Sequence, residues 1–216
     1  MDSTGFGLPE SLQDLFPGSG GSATQAGAKI QTVWDYKSSK FDHFALTAWP
    51  IPDNKYVDTV VALAQEGILF LWDLGYFTVQ ALAHIAAARA YFFSRLNHQT
   101  NIYETVAGHL PPLALVPFLH SVQGNIAEKD IVIGAKDQVK SRLIVSRVPE
   151  MSVNERRRQA RKKAKKKGYT PSQTPLTLLA WNLFMTNVPQ TIWKTATVVK
   201  VYPLRWQIEL ISNSRL

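Results

Sequence analysis

The apolar run Ile68-Leu69-Phe70-Leu71-Trp72 is five residues long and is closed by Asp73 and Gly75. A run that short suits a buried central strand better than a helix. Beyond Gly75, Val79, Leu82, Ala83 and Ala86 recur at helical spacing, which predicts a helix over 77–93. Asp73 therefore stands where a strand hands over to a helix, at the carboxyl end of a strand, where open α/β folds bind ligands. The residues alone leave Asp73 two readings, a functional carboxylate or a cap on the helix that follows.

The same patterning extends along the chain. Lys29–Tyr36 and Phe41–Trp49 carry β-branched and aromatic residues around Ser38-Ser39 and predict a β-hairpin. Residues 5–28 are rich in Gly, Ser and Pro and read as a loop; no Lys-Ser or Lys-Thr pair follows Gly18–Gly21, so it is not a phosphate cradle. Tyr56–Leu63 reads as a short helix capped by Asp53 or Asn54. Ala90–Leu96 reads as a strand ending near Arg95. Farther on, 111–119 predicts an apolar turn or helix, and 130–134, 141–148 and 180–188 predict strands. Asn154–Lys167 is helical and stops at Gly168, and Ile192–Ile211 predicts one helix or two in series around Pro203.

Composition narrows the function. The 216 residues are 45% hydrophobic, enough for a core and against disorder. The absence of cysteine excludes disulfides, thiolate metal sites and thiol nucleophiles. The five histidines are scattered without zinc-ligand spacing. The net charge of +8 is concentrated: residues 153–168 hold nine Lys and Arg, including Arg156, Arg157, Arg158, Lys162 and Lys163, against Glu155 alone. Such a run is a footprint for a polyanion or a solvated helix face. The 77–93 segment is interrupted by Gln80, His84 and Arg89 and is too short to span a bilayer.

Tyr202, Arg205 and Glu209 follow at spacings of three and four, which on a helix gives them one face. The segment resembles the Y-x2-R-x3-E-x6-K signature of DDE transposases of the insertion-sequence-four family. Asp2-Ser3-Thr4, with Leu8-Pro9 and Leu15-Phe16-Pro17-Gly18 after it, resembles the block carrying that family's first catalytic aspartate. Asp73-Leu74-Gly75-Tyr76 resembles the block carrying the second. The resemblance covers nearly the whole chain in the family's order.

The resemblance implies an α/β, RNase H-like mixed sheet with flanking helices. It implies a core at 1–96 and 189–216, interrupted by a partly β insertion at 97–188 with a basic helix. It implies that Asp2, Asp73 and Glu209 are catalytic and hold two Mg²⁺ or Mn²⁺ ions for cut-and-paste DNA cleavage and strand transfer. It implies DNA contacts from Tyr202, Arg205, Arg95 and the basic run, and makes Trp181 the match to a tryptophan that holds a flipped base. A core tryptophan is the other reading of Trp181. It also implies a prokaryotic, DNA-associated cytoplasmic protein, dimeric at full length, with no membrane. Two departures stand out. Leu216 occupies the signature lysine position, and only Met1 precedes Asp2, so the first strand is expected to be missing and Asp2 to ride on a frayed terminus. Two rivals remain: a truncated DNA-binding remnant or interfering regulator, and a basic nucleic-acid-binding domain with structural carboxylates.

Overall fold

A computed structural model of the chain describes residues 1–19, 25–104 and 111–205. It is a mixed α/β protein in two compact units. The first holds Met1–Ser94 and the stretch from Val201; the second holds Arg95–Lys200.

In the first unit, β1 (Asp2–Leu8), β2 (Ala26–Asp35) and β3 (Lys40–Ala48) form an antiparallel sheet in that order. The predicted hairpin is β2–β3, turning through Ser39 in the left-handed region (φ 56°). β1 corrects the expectation of a loop over 5–28. Asp2 pairs with Thr32, and the ladder runs on to Leu8 opposite Ala26. The glycines that read as loop signals have another cause. A Cβ at Gly5 would meet the Trp49 indole at 2.7 Å, and one at Gly27 would meet it at 3.0 Å. Glycine here lets an aromatic ring lie on the backbone of two strands.

A 3₁₀ turn (Asp53–Tyr56) leads into α1 (Val57–Val61), and no side chain caps either. The expected cap at Asp53 or Asn54 is therefore absent. β4 (Leu69–Trp72) runs parallel to β5 (Tyr91–Arg95), with Trp72 opposite Ser94. A parallel pair needs a crossover; it is supplied by a second 3₁₀ turn (Leu74–Tyr76) and α2 (Val79–Ala87). α2 is shorter than the predicted 77–93 because Thr78 caps its start, accepting from Ala81 N–H at 3.1 Å, and Arg89 adopts φ 55° past its end. Trp72, Tyr76, Leu82, Ile85, Phe92 and Phe93 are fully buried in this unit. Among the described residues β1 and β4 stand outermost in their ladders.

The second unit contains β6 (Ile102–Tyr103), β7 (Ile126–Ile133), β8 (Val139–Arg147) and β9 (Trp181–Thr186), antiparallel in the order β9, β8, β7, β6. α3 (Leu115–Ser121), α4 (Glu150–Lys166) and α5 (Gln173–Leu178) join them. α4 ends at Gly168 with φ 75°, the left-handed stop the sequence predicts. α6 (Thr195–Val201) is followed by a 3₁₀ turn (Tyr202–Arg205) at Pro203, where the sequence predicts one helix or two in series; residues 206–211 of that prediction lie outside the described residues. The stretch from Val201 belongs to the first unit, and Thr195 to the second. The hydroxyl of Thr195 donates to Glu128 Oε2 at 2.6 Å inside the second unit.

Candidate functional site

Asp73 is the N-cap of the 3₁₀ turn after β4: its Oδ2 accepts from Gly75 N–H at 3.1 Å. Its Oδ1 lies 3.3 Å from Arg205 Nη1, and the side chain keeps 35% of its exposure. The cap falls on the 3₁₀ turn rather than on α2, whose own N-cap is Thr78. Asp73 thus caps a turn, and it faces a cation with acceptor capacity left over.

Tyr202 and Arg205 lie on a 3₁₀ turn, where residues three apart eclipse, so their shared face survives the change of helix type. The Tyr202 ring packs edge-on against Phe93, centroids 5.4 Å apart. The Arg205 guanidinium is 5.8 Å from the Tyr202 ring. Both residues are buried, Arg205 to 5% exposure, so Arg205 lies inside the unit rather than at a rim. Glu209 and Leu216 fall outside the described residues.

Asp2 is the first residue of β1, and its carbonyl accepts from Thr32 Oγ1 at 3.2 Å. The expected fraying is corrected: ladder pairing and this bond hold Asp2 in place. Met1 is buried, and its amino group, pushed down to about 6 by burial, feels the charges of Asp2, Arg205 and Asp73. Asp73 and Arg205 thus stand together in the first unit, the unit whose β1 opens with Asp2.

The sequence reading missed Asp53. Its carboxylate accepts from Ser3 Oγ at 2.9 Å, Lys29 Nζ at 3.1 Å and Gln31 Nε2 at 3.3 Å. Gln31, fully buried, accepts in turn from the Tyr76 hydroxyl. Burial, and then the charge of Asp53, raise the pKa of Tyr76 far above its ordinary value, so it stays a donor. The signal available in the sequence was Gln31, a polar residue in a strand patterned by Ile30, Val33 and Trp34.

For a divalent cation, no group of three or more His, Cys, Asp or Glu stands ready among the described residues. Asp2 and Asp73 offer two hard carboxylates, and a partly exposed Asp73 retains lone pairs for an ion. That donor chemistry fits Mg²⁺ or Mn²⁺, which take one or two protein carboxylates and complete their shell with water or phosphate.

In the second unit the basic run divides by face. Val153 and Ala164 are buried, and Arg156, Arg157 and Ala160 fall on the same stripe of α4, half-buried. Arg156 donates to Asn182 Oδ1 at 3.1 Å, and Arg157 to the Leu176 carbonyl at 3.1 Å. Burial and the nearby Arg95 charge lower the Arg156 pKa. Arg158 is exposed and bound to Glu155 at 2.8 and 3.0 Å. The outward cations are Arg161, Lys162, Lys163, Lys165, Lys166 and Lys167, all exposed. Arg95, at the end of β5, is also exposed. Trp181 is only 5% exposed, and the Arg147 guanidinium covers its ring at 4.4 Å. A base could stack on this ring only after Arg147 left it.

Residues 1–213 match the family model described as Transposase DDE domain. The chain is 30% identical over 228 residues to the transposase for insertion sequence element IS231F of Bacillus thuringiensis subsp. israelensis, covering 98% of this chain and 47% of that protein. It is 29% identical to the IS231B transposase of B. thuringiensis subsp. berliner, over 98% and 47%. It is 28% identical to the IS1151 transposase of Clostridium perfringens, over 97% and 48%. The chain thus spans about half the length of the curated relatives it matches.

Proposed function

The chain belongs to the transposase DDE domain family, and from that premise we propose that it carries the metal-dependent DNA cleavage and strand-transfer site of an insertion-sequence transposase. The observation that supports this reading is the partly exposed Asp73 carboxylate held between the buried Arg205 and Gly75 N–H, in the unit whose β1 opens with Asp2. We read β1–β2–β3 and β4–α2–β5 as the RNase H-like core, and the second unit as the insertion. Asp2 and Asp73 would hold the ions, with Glu209 as the third carboxylate. When bound, such ions activate the attacking oxygen and stabilise the leaving one in an in-line displacement.

The chain's own residues do the rest. Arg205, sheltered in the fold, fixes the direction of the Asp73 carboxylate through Oδ1, while Gly75 N–H fixes it through Oδ2. Tyr202 braces Arg205 against Phe93. Arg95 and the outward cations of α4 are the phosphate-tracking groups, placed to hold DNA without reading its sequence. Arg156 and Arg157 shape the insertion, and Trp181 packs beneath Arg147.

The rival is a relative that binds DNA without cutting it, a reading favoured by the outward cations of α4. One experiment separates them. With Mg²⁺ and supercoiled DNA, the wild type nicks, and Asp73→Asn binds DNA equally but loses nicking. DNA binding by the wild type with no Mg²⁺-dependent nicking would establish the rival.

A further inference from the structure

We propose that Asp53 is a positioning residue for the Asp73 carboxylate, locking the 73–76 turn to the β1–β2 ladder that carries Asp2. The inference rests on the reading of Asp2 and Asp73 as metal ligands. The turn bearing Asp73 and the strand bearing Asp2 come from segments some seventy residues apart, and a shared ion demands that they keep one spacing.

The connection runs from half-buried Ser3 and Asp53 to buried Gln31 and Tyr76. Ser3, next to Asp2, donates to Asp53 Oδ2 at 2.9 Å, and Lys29 and Gln31 of β2 donate to Oδ1. The Gln31 amide is the pivot. An ionised carboxylate only accepts, so it compels Gln31 to turn its NH₂ toward Asp53 and toward Thr47 Oγ1, 3.3 Å away. The amide oxygen must then face the other way, where it takes the Tyr76 hydroxyl. Tyr76 closes the turn that begins at Asp73. The charge of Asp53 thus determines which atom of Gln31 meets Tyr76, and through it where the turn sits.

Gly75 gives the same arrangement a steric mark. A Cβ there would stand 3.3 Å from Asp53 Oδ2 and 3.4 Å from Asp73 Oδ2, so the two carboxylates flank one bare backbone atom. Asp53 itself is not disposed as a ligand. Lys29 neutralises it at 3.1 Å, and both its oxygens already take donors from β1 and β2. Asn at this position could offer its own NH₂ to Gln31, freeing that amide to flip and release Tyr76.

The test uses Mn²⁺ binding to the full chain, read as loss of the free-ion paramagnetic resonance signal, with no substrate present. Asp53→Asn and Tyr76→Phe are each expected to weaken Mn²⁺ binding about tenfold, the scale on which partners of metal ligands act. The pair combined should be no weaker than either alone, because both break one linkage. Glu128→Gln, in the second unit, should lower the melting temperature and leave Mn²⁺ affinity intact, so lost stability alone cannot mimic the effect. If Asp53→Asn does not fold, Tyr76→Phe decides. Unchanged Mn²⁺ affinity in these variants, with Asp73→Asn impaired, overturns the positioning role. Loss in Asp53→Asn as severe as in Asp73→Asn would make Asp53 a ligand and overturn it too. Unchanged affinity in Asp73→Asn would overturn the underlying reading of the site instead.

Discussion

Among the described residues each unit contains one buried arginine facing a carboxylate, and the two pairs are built differently. Arg142, 6% exposed, grips Glu128 with two parallel bonds of 2.6 and 2.8 Å. Its third arm donates to the Val188 carbonyl at 2.7 Å, and Thr195 fills another lone pair of Glu128. Arg205, 5% exposed, stands 3.3 Å from Asp73, whose carboxylate remains about a third exposed, at 35%. The first pair is closed, with geometry and partners completed by the protein. The second is open on the carboxylate side, leaving acceptor capacity facing outward. Burial of an arginine therefore does not distinguish a strut from a site; the exposure of its partner does.

Replacing Glu128 with Gln breaks the closed pair and leaves a guanidinium buried without its counter-charge. The expected cost is about 3–5 kcal/mol, the largest effect foreseen, read from urea unfolding. Replacing both partners, Glu128→Leu with Arg142→Met, should recover most of it, since a well-packed apolar pair of similar volume is often neutral. A single substitution that costs nothing would erase the contrast between the pairs.

The contrast extends to the cations of α4. Arg156 and Arg157 are closed onto Asn182 and Leu176, whereas Lys162, Lys163 and Lys166 face outward. Changing those three lysines to Ala should flatten the slope of log K against log salt by about 0.9 for each DNA phosphate that is no longer neutralised. Arg156→Ala should instead lower stability by about 1 kcal/mol, the scale of a lost hydrogen bond, with a smaller change of slope. An unchanged slope in the lysine variant would make the outer face a solvated surface.

The smallest effect concerns pH. Burial alone would raise the pKa of Glu128, but its bonds to Arg142 and Thr195 outweigh burial and leave it below its ordinary 4.5. A depressed carboxylate contributes stability above its unfolded pKa and loses it as pH falls through the folded one. Melting temperature should therefore drop as pH is lowered from about 5 toward 3, and drop less steeply in Glu128→Gln. Parallel curves would remove Glu128 from the acid response.

Much of this was legible in the sequence for physical reasons that differ by element. β4, β7, β8 and β9 were readable because each buries apolar residues in short runs. The Tyr202–Arg205 relation survived because a spacing of three aligns side chains on a 3₁₀ turn. β1 was not readable, because the glycines needed beneath Trp49 carry the same local signal as a loop. The roles of Asp53 and Glu128 were hidden by distance: Asp53 meets Ser3 across 50 positions, and Glu128 meets Thr195 across 67. Neither separation leaves a periodic trace. The basic run announced charge but not its division, since Arg156 and Arg157 turn inward only once α4 has a sheet to lie against.

The Trp49 indole resting on Gly5 and Gly27 also makes the strand that begins with Asp2 optically visible. Should β1 peel from β2, the ring would lose its glycine floor and meet water, and its emission would shift to the red and weaken. With the other five tryptophans replaced by phenylalanine where their packing tolerates it, the fluorescence of this one residue would clock the seating of β1 in real time.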